Sequence, residues 1–407
     1  MISAAMTARA FLHPAVLCSW AIGSSVRLRQ AVKGHRRTGG DAAQILAAGL
    51  EECWRGNHLT ASPGYYRQFW TRDTGFAAPA LARLGPPHRQ RLIDTLAWAM
   101  GIWRRRRSHI TTTIHAPFAW PSDLFDYGVD SLPLFLASLR VAEADDLASA
   151  NRDWIAAEVR YFASRVVDPA SGLVRADRRF SAHRDTFRNG SNAYGNTMVA
   201  LLAKTVHETG WGPDLLSDRF RVDSPNGAAG HDWSKLLREH FWMGDRFRDR
   251  LGSDETSGEA NIFPFYAGAV NDQVMQRAAL ATLRAEGYAD PYPLPFMTGR
   301  ALDRRLFLYR FFAPDYQTTA SWTSLGSIYL SLLRESDPAL AVIGIDRMAR
   351  LVEREGVLWE ILDREGRRWH SRHHLSSSDY SMLWGAVLLD VLRAPTGPAL
   401  RLGRMAP

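Results

Sequence analysis

The amino-acid sequence predicts an all-α fold, an (α/α)6 toroid, and the main reason is a recurrence along the chain. Loop-like sequence gives way to an apolar, helix-like segment near positions 73, 130, 193, 262, 322 and 380. Each apolar segment leads to an amphipathic one whose apolar residues recur at helical spacing. A unit of roughly 60 residues that occurs six times predicts helical hairpins closed into a ring, with long loops over one mouth.

Each unit is predicted to contain one inner helix, buried on all sides, and one outer helix with a solvent-facing side. The inner segments are continuously apolar or rich in small residues, and they lie at 75–84, 132–141, 192–206, 262–268, 321–333 and 380–392. The outer segments are amphipathic, and they lie at 42–55, 89–103, 148–167, 233–242, 272–286 and 339–355. The sequence therefore predicts a single toroid domain over residues 41–400.

Residues 1–40 form an N-terminal extension that we expect to be peripheral to the ring. They hold six basic residues and no acidic one, which resembles a targeting segment. Against this, His13 and Pro14 interrupt the apolar stretch and no clear charged region precedes it, so a helix packed on the body is as good an interpretation. We expect a cytoplasmic protein, and leave a targeting segment open.

Composition excludes several classes of function. The formal charge of +8 arises largely from residues 1–40, so the body is close to neutral and nucleic acid is not an expected partner. Only Cys18 and Cys53 are present, which excludes a disulfide framework and a cysteine-based zinc site. No apolar run is long enough to cross a bilayer, so no membrane partner is expected. The sequence does not indicate an oligomeric state.

No metal or cofactor is expected, because the histidines of the polar loops do not form a convincing ligand set. These histidines are His109, His115, His370, His373 and His374.

A first candidate site lies where a loop turns into the second inner segment, at Asp126 and Asp130. An Asp at the start of a helix is usually an N-cap, because its side chain accepts from the free N–H groups of the first turn. The approach is aromatic, however, with Trp120, Phe125 and Tyr127. Aromatic rings at such a place are typical of a surface that stacks on a sugar ring.

Other loops that lead into inner helices carry similar residues, and a toroid brings these loops to one face. We therefore expect a single pocket there. The candidate substrate-binding residues are Tyr66, Trp70, Arg72, Asp73, Trp120, Asp126, Asn192, Tyr194 and Trp322. Glu360 adds a carboxylate that is flanked on both sides by apolar residues, so a solvated surface Glu is less expected than usual. A strand-edge Glu or an ion-pair partner is the alternative.

Over most of residues 60–393 the chain resembles the six-hairpin glycosidases. This group contains amylo-α-1,6-glucosidase (glycogen debranching), processing α-glucosidase, trehalase, neutral invertase and mannosylglycerate hydrolase. Residues 70–74, Trp-Thr-Arg-Asp-Thr, are similar to the debranching W-G-R-D-T segment. Residues 127–133 resemble the glucosidase S-G-x-D-N-S-P, and residues 261–268 resemble F-x-P-L-x-A-G. Residues 359–366 resemble the E-x-Y-x-x-x-x-G segment, and residues 380–385 stand roughly where those enzymes have W-T.

Two departures concern the substrate. Arg72 stands where the mannosylglycerate hydrolases carry Trp, which favours the debranching or invertase side of the group. Leu362 replaces the Tyr that follows the catalytic Glu in the family segment.

The resemblance implies an inverting glycoside hydrolase that cleaves an α-linked glucoside or related small glycoside. It implies Asp130 as the general acid and Glu360 as the general base. This chemistry needs one carboxyl to protonate the leaving oxygen while the other activates water on the opposite face, with the two roughly 6.5–9.5 Å apart. Burial by apolar neighbours keeps the acid protonated near neutral pH.

Two alternatives from other classes stay open. A non-catalytic carbohydrate-binding toroid would keep the tryptophans and show no hydrolysis. Another helical-barrel enzyme, such as a terpenoid cyclase, should show a D-x-D-D-type cluster, and the sequence has none.

Overall fold

A closed ring of inner helices forms the centre of the protein. The computed structural model describes residues 13–187, 190–223, 229–290, 292–304, 306–372 and 376–403. In chain order the inner helices are Thr71–Arg83, Ser131–Val141, Ala193–Thr209, Gly258–Tyr266, Thr323–Ser336 and Gly385–Arg393. Each packs on the next, and the last packs on the first. This closure confirms the predicted (α/α)6 toroid.

The outer helices cover the ring, each packed on one or more inner helices. They are Ala42–Cys53, Pro86–Arg106, Arg152–Val166, Lys235–His240, Gln273–Ala285 and Pro338–Glu355. Their burial is one-sided, as their sequences predict. In Gln273–Ala285, for example, Met275, Ala279 and Leu283 are buried at intervals of four residues, which is the spacing of one helix face.

The inner helices are buried almost completely, which their small residues allow. In Thr71–Arg83 every residue except Arg83 is buried. A Cβ at Gly75 would lie 2.6 Å from the Cβ of Leu134, so the first two inner helices approach most closely where only glycine fits.

Three elements differ from the sequence-based prediction. The sixth inner helix begins at Gly385, not at 380, because Tyr380 forms a β-bridge with Trp359. The outer segment predicted at 148–167 is divided into Asp145–Ser149 and Arg152–Val166. A short helix, Phe307–Phe312, lies in a stretch that was expected to be loop.

Short strands at the mouth attach the loops to the starts of the inner helices. Phe69–Trp70, Thr113–His115 and Trp120–Ser122 form an antiparallel sheet. Ser321–Trp322 pairs with Ile361–Leu362. A third pair, Arg221–Asp223 with Ala229–His231, lies beside the outer helix Lys235–His240.

The described part of the N-terminal extension contains a helix, Pro14–Lys33. Gln68 Nε2 donates to Ser19 Oγ at 2.7 Å, and the guanidinium of Arg27 lies 3.6 Å from the centre of the Tyr65 ring. The helix thus contacts the loop that precedes the first inner helix. Residues 1–12 lie outside the described residues. Among the described helices, none combines the length and the apolar composition that crossing a bilayer requires.

Candidate active site

A cavity at the mouth of the toroid gathers side chains from loops that lead into inner helices. Its empty volume, open solvent included, is about 440 Å³. Its lining residues are Tyr66, Trp70, Arg72, Asp73, Phe76, His183, Asp185, Tyr316, Gln317, Trp322, Glu360, Met382 and Trp384.

Several predicted site residues meet in this cavity. They are Tyr66, Trp70, Arg72, Asp73, Trp322 and Glu360. The strand Phe69–Trp70 leads directly into the first inner helix. Trp70 directly precedes this helix, and Arg72 and Asp73 lie in its first turn. The Arg72 guanidinium lies 5.8 Å from the centre of the Trp70 ring, and the Tyr66 ring meets Trp70 edge-on. Burial raises the pKa of Asp73 to about 7.

Three predicted substrate-binding residues have structural contacts elsewhere and do not line the cavity. Trp120 stacks on His13, with ring centres 3.8 Å apart. Asp126 forms ion pairs with Arg165 at 2.9 Å and with Arg178 at 3.3 Å. Asn192 caps the third inner helix, because its Oδ1 accepts from the backbone N–H of Gly195 at 2.8 Å.

Asp130 lies behind the cavity wall. Its side chain is 0% exposed, its Oδ2 is 3.6 Å from Arg72 Nη1, and the Tyr194 hydroxyl donates to the same oxygen at 2.8 Å. Its other oxygen has no hydrogen-bond partner among the described residues. Burial raises the pKa of Asp130 to about 6, with Arg72 acting against the rise. The side chain neither caps the helix nor reaches the cavity, so the structure does not place Asp130 and Tyr194 where a substrate would contact them.

Arg72 connects Asp130 to a second carboxylate that does line the cavity, Asp185. Arg72 Nη2 donates to Asp185 Oδ2 at 3.3 Å, and the Asp185 side chain is 17% exposed. Burial raises the pKa of Asp185, while Arg72 opposes the rise. The sequence predicts no role for Asp185, because residues 168–189 show only the polar composition of a loop.

Buried side chains hold the Asp185 loop in place. Asp185 Oδ1 accepts from the backbone N–H of Ala182 at 3.0 Å. The neighbouring Arg184 is fully buried, donates to Glu259 Oε1 at 2.6 Å and pairs with Asp249. Gln317 holds the loop on the C-terminal side of Asp185, since its Oε1 accepts from the Thr186 backbone N–H at 3.0 Å. The loop is therefore fixed mainly by side chains that are distant in sequence.

Glu360 is fixed by backbone contacts. Its carbonyl accepts from the Thr323 N–H at 3.1 Å, and its own N–H donates to the Asp379 carbonyl at 2.8 Å. The Asp379 N–H donates to Glu360 Oε2 at 3.1 Å. Burial and the nearby Asp379 carboxylate raise the pKa of Glu360 to about 8. Glu360 is 3% exposed, so it lies deeper than Asp185.

Aromatic rings form much of the remaining wall. Trp322 and Tyr316 lie 5.3 Å apart and meet edge-on, and Trp384 Nε1 donates to Thr323 Oγ1 at 3.0 Å. The indole nitrogens of Trp70 and Trp322 are buried, with no hydrogen-bond partner among the described residues. Buried polar groups usually have a partner, so these two indole nitrogens are exceptions in the cavity wall.

The described residues include no group of three or more His, Cys, Asp or Glu side chains that could hold a metal ion. His109 hydrogen-bonds Asp123 at 2.7 Å, and His115 lies 2.8 Å from Ser122 Oγ. His373 and His374 lie outside the described residues.

Comparison with family models finds no match, and comparison with curated proteins finds none. Solved structures do match the fold. A glycosidase variant in complex with glucose matches with a TM-score of 0.58 at 17% identity, over 86% of this chain and 94% of that chain. The GH63 mannosylglycerate hydrolase from Thermus thermophilus, in complex with Tris and D-glycerate, matches with a TM-score of 0.56 at 13% identity, over 87% of this chain and 100% of that chain.

A rhamnosidase from Klebsiella oxytoca with rhamnose bound matches with a TM-score of 0.54 at 14% identity, over 86% of this chain and 63% of that chain. At these identities the similarity establishes a shared fold.

Proposed function

We propose that this protein is a glycoside hydrolase that cleaves an α-linked glucoside or a related small glycoside with inversion. The observation that carries the proposal is that the carboxylates of Asp185 and Glu360 line one small cavity with tryptophan walls, together with Asp73, which we assign to the sugar hydroxyls. Hydrolysis of a glycosidic bond needs two carboxyl groups, one on each side of the bond.

The difference in burial assigns the two roles. A small pocket admits the sugar first, so the leaving group must point to the open side. Asp185 is the more exposed carboxyl, and we assign it as the general acid. Glu360 is the more buried one, and we assign it as the general base that activates water. Asp185 thus takes the role that the family resemblance implies for Asp130.

The pair must share one proton to act. In the free protein the raised pKa of Glu360, about 8, means that Glu360 holds this proton for much of the time at neutral pH. The reactive form has the proton on Asp185 and not on Glu360. The fraction of protein in the reactive form therefore depends on the pKa values of both carboxyl groups.

The remaining lining suits a single sugar ring. Trp70 and Trp322 line the cavity and offer flat faces for the C–H side of a sugar. Arg72 and Asp73 offer charge-assisted hydrogen bonds. The structural neighbours named as a glycosidase, a mannosylglycerate hydrolase and a rhamnosidase support the same class of reaction. The glucose complex among them agrees with a glucoside substrate.

The direct test is incubation with a panel of small α- and β-glycosides, including disaccharides, aryl glycosides and glycosyl fluorides, with assay of released sugar. We expect release from an α-glucoside by the wild type and not by Glu360→Gln. Glu365→Gln, which changes an exposed carboxylate of the same loop, is the matched control and should retain activity. Sugar binding without hydrolysis would contradict the proposal and favour a non-catalytic carbohydrate-binding toroid.

A further inference from the structure

We propose that the short helix Phe307–Phe312 binds the leaving group of the substrate, and that this leaving group is a ring with an apolar face, such as a second sugar or an aryl group. The inference rests on the proposed glycosidase function and adds a second binding position to it. Three observations carry it: a row of aromatic rings, the place of the helix beside Asp185, and the composition of the helix.

A row of aromatic rings leads from the cavity to this helix. Trp322 lines the cavity, and its ring centre is 5.3 Å from that of Tyr316, which also lines it. Tyr316 stacks on Tyr309, with ring centres 5.7 Å apart and planes inclined by 24°. Tyr309 belongs to the short helix and is 37% exposed. The aromatic wall of the cavity is thus continuous with the surface of the helix.

The helix lies on the side of the cavity that carries the general acid. The backbone N–H of Leu306 donates to the carbonyl of Thr186 at 2.9 Å, and Thr186 follows Asp185 directly. The general acid protonates the oxygen of the leaving group, so the leaving group must lie next to it. A leaving group that passes Asp185 toward solvent therefore reaches the aromatic helix first.

The composition of the helix fits a ring with an apolar face. Four of its residues are aromatic and exposed: Phe307, Tyr309, Phe311 and Phe312. An exposed apolar cluster of this kind next to a cavity is typical of a binding surface. Aromatic side chains stack on the C–H face of a sugar or on an aryl ring. A small charged leaving group would gain little from them.

The test compares substrates with and without a ring in the leaving group. An α-glucosyl fluoride fills only the sugar position, while p-nitrophenyl α-glucoside and an α-linked disaccharide place a ring beyond Asp185. The measured quantity is the ratio of kcat/KM for each ring substrate to kcat/KM for the fluoride. For Tyr309→Ala and for Phe312→Ala we expect this ratio to fall roughly three- to ten-fold.

Phe118→Ala is the matched control, since Phe118 is a similarly exposed aromatic residue of another loop. It should leave the ratio unchanged. A general disturbance of the fold would lower both kcat/KM values and preserve the ratio, which would overturn the proposal. A change of oligomeric state by light scattering, with the ratio unchanged, would also overturn it and identify the helix as a contact between two copies.

The failure of this inference is distinguishable from the failure of the proposed function. If the wild type hydrolyses no glycoside, the proposed function fails. The helix is then tested by calorimetry with a disaccharide and the corresponding monosaccharide. The wild type should bind the disaccharide more tightly, and Phe312→Ala should remove most of that difference. Equal affinities for the two sugars in the wild type would overturn the inference.

Discussion

The two carboxylates that we assign as acid and base, Asp185 and Glu360, are held by different kinds of structure. Glu360 belongs to a segment fixed by backbone hydrogen bonds, because the adjoining strand Ile361–Leu362 pairs with Ser321–Trp322. Asp185 belongs to an irregular loop whose anchor is the neighbouring Arg184, ion-paired inside the protein to Asp249 and Glu259. The position of Glu360 thus depends on main-chain hydrogen bonds, and the position of Asp185 depends on buried ion pairs. We call these two parts of the cavity the Glu360 wall and the Asp185 wall.

This difference predicts unequal tolerance of substitution. Backbone hydrogen bonds persist when side chains change, so the Glu360 wall should lose function mainly through Glu360 itself. A buried ion pair fails when either partner is removed, because the other charge is left without compensation. The Asp185 wall should therefore be sensitive at positions that never contact a substrate.

The largest expected effect is at Glu360. Glu360→Gln removes the base and should lower kcat roughly 10²–10⁴-fold for every substrate. Added azide should restore part of the rate with a glycosyl fluoride, because it attacks in place of water. The measurement is the initial rate with and without azide, together with detection of the glycosyl azide. A variant that keeps near-normal activity without azide would contradict the role of Glu360.

Asp185→Asn should show an effect that depends on the leaving group. We expect a loss of roughly 10²–10⁴-fold for a disaccharide and a much smaller loss for a glycosyl fluoride, which needs no protonation. Asp130→Asn is the matched comparison on the other side of Arg72. It should lower both rates by similar factors, because the Asp130 carboxylate does not line the cavity and its polar contacts with described residues are to Arg72 and Tyr194. A loss that depends on the leaving group for Asp130→Asn, with equal losses for Asp185→Asn, would identify Asp130 as the general acid.

The contrast between the walls also predicts a difference in stability. Arg184→Met removes the guanidinium that pairs with Glu259 and with Asp249, although Asp249 keeps Arg304 at 3.0 Å. It should cost roughly 3–5 kcal/mol of unfolding free energy. Ser378→Ala removes two hydrogen bonds to the backbone of the Glu360 wall, since Ser378 Oγ accepts from the Ile361 N–H at 2.8 Å and donates to the Asp379 carbonyl at 3.2 Å. It should cost only roughly 1–2 kcal/mol. Denaturant unfolding measures both changes in unfolding free energy, and equal changes would contradict the proposed difference between the two walls.

The pH dependence should reveal the shared proton. As pH rises above about 8, Glu360 ionises, the pair loses the proton that the leaving group needs, and kcat/KM should fall. The pKa of Glu360 is raised by burial and by Asp379. Asp379→Asn should therefore move this alkaline limb to lower pH, while Glu365→Gln should leave it in place. If the alkaline limb of Asp379→Asn stays in place, the ionisation of Glu360 is not its cause.

The sequence predicted the ring because each inner helix has its own apolar signal and each outer helix its own amphipathic one. Glu360 was also predictable, since its apolar neighbours are adjacent in sequence. Asp185 was not, because its burial depends on partners 65 and 75 residues from Arg184, and no local pattern predicts such a pairing. The one available signal was that its loop precedes the third inner helix, as the other site loops precede theirs.

Asp130 shows a second limit of prediction from sequence, since a recognisable motif does not determine where its side chain points. Its motif correctly indicated the start of an inner helix, but the direction of its side chain depends on packing around Tyr194. Asp126 and Asn192 show the same limit, because an ion pair and a helix cap explain them without a substrate.

The most direct test of the account is the configuration of the first product. Proton NMR during hydrolysis of an α-glucosyl fluoride follows the two anomers before they interconvert. A water molecule between the substrate and Glu360, with the two carboxyl groups roughly 6.5–9.5 Å apart, gives inversion, so the β-anomer should appear first. If the α-anomer appears first, the reaction retains configuration, and Glu360 does not act as a general base on water.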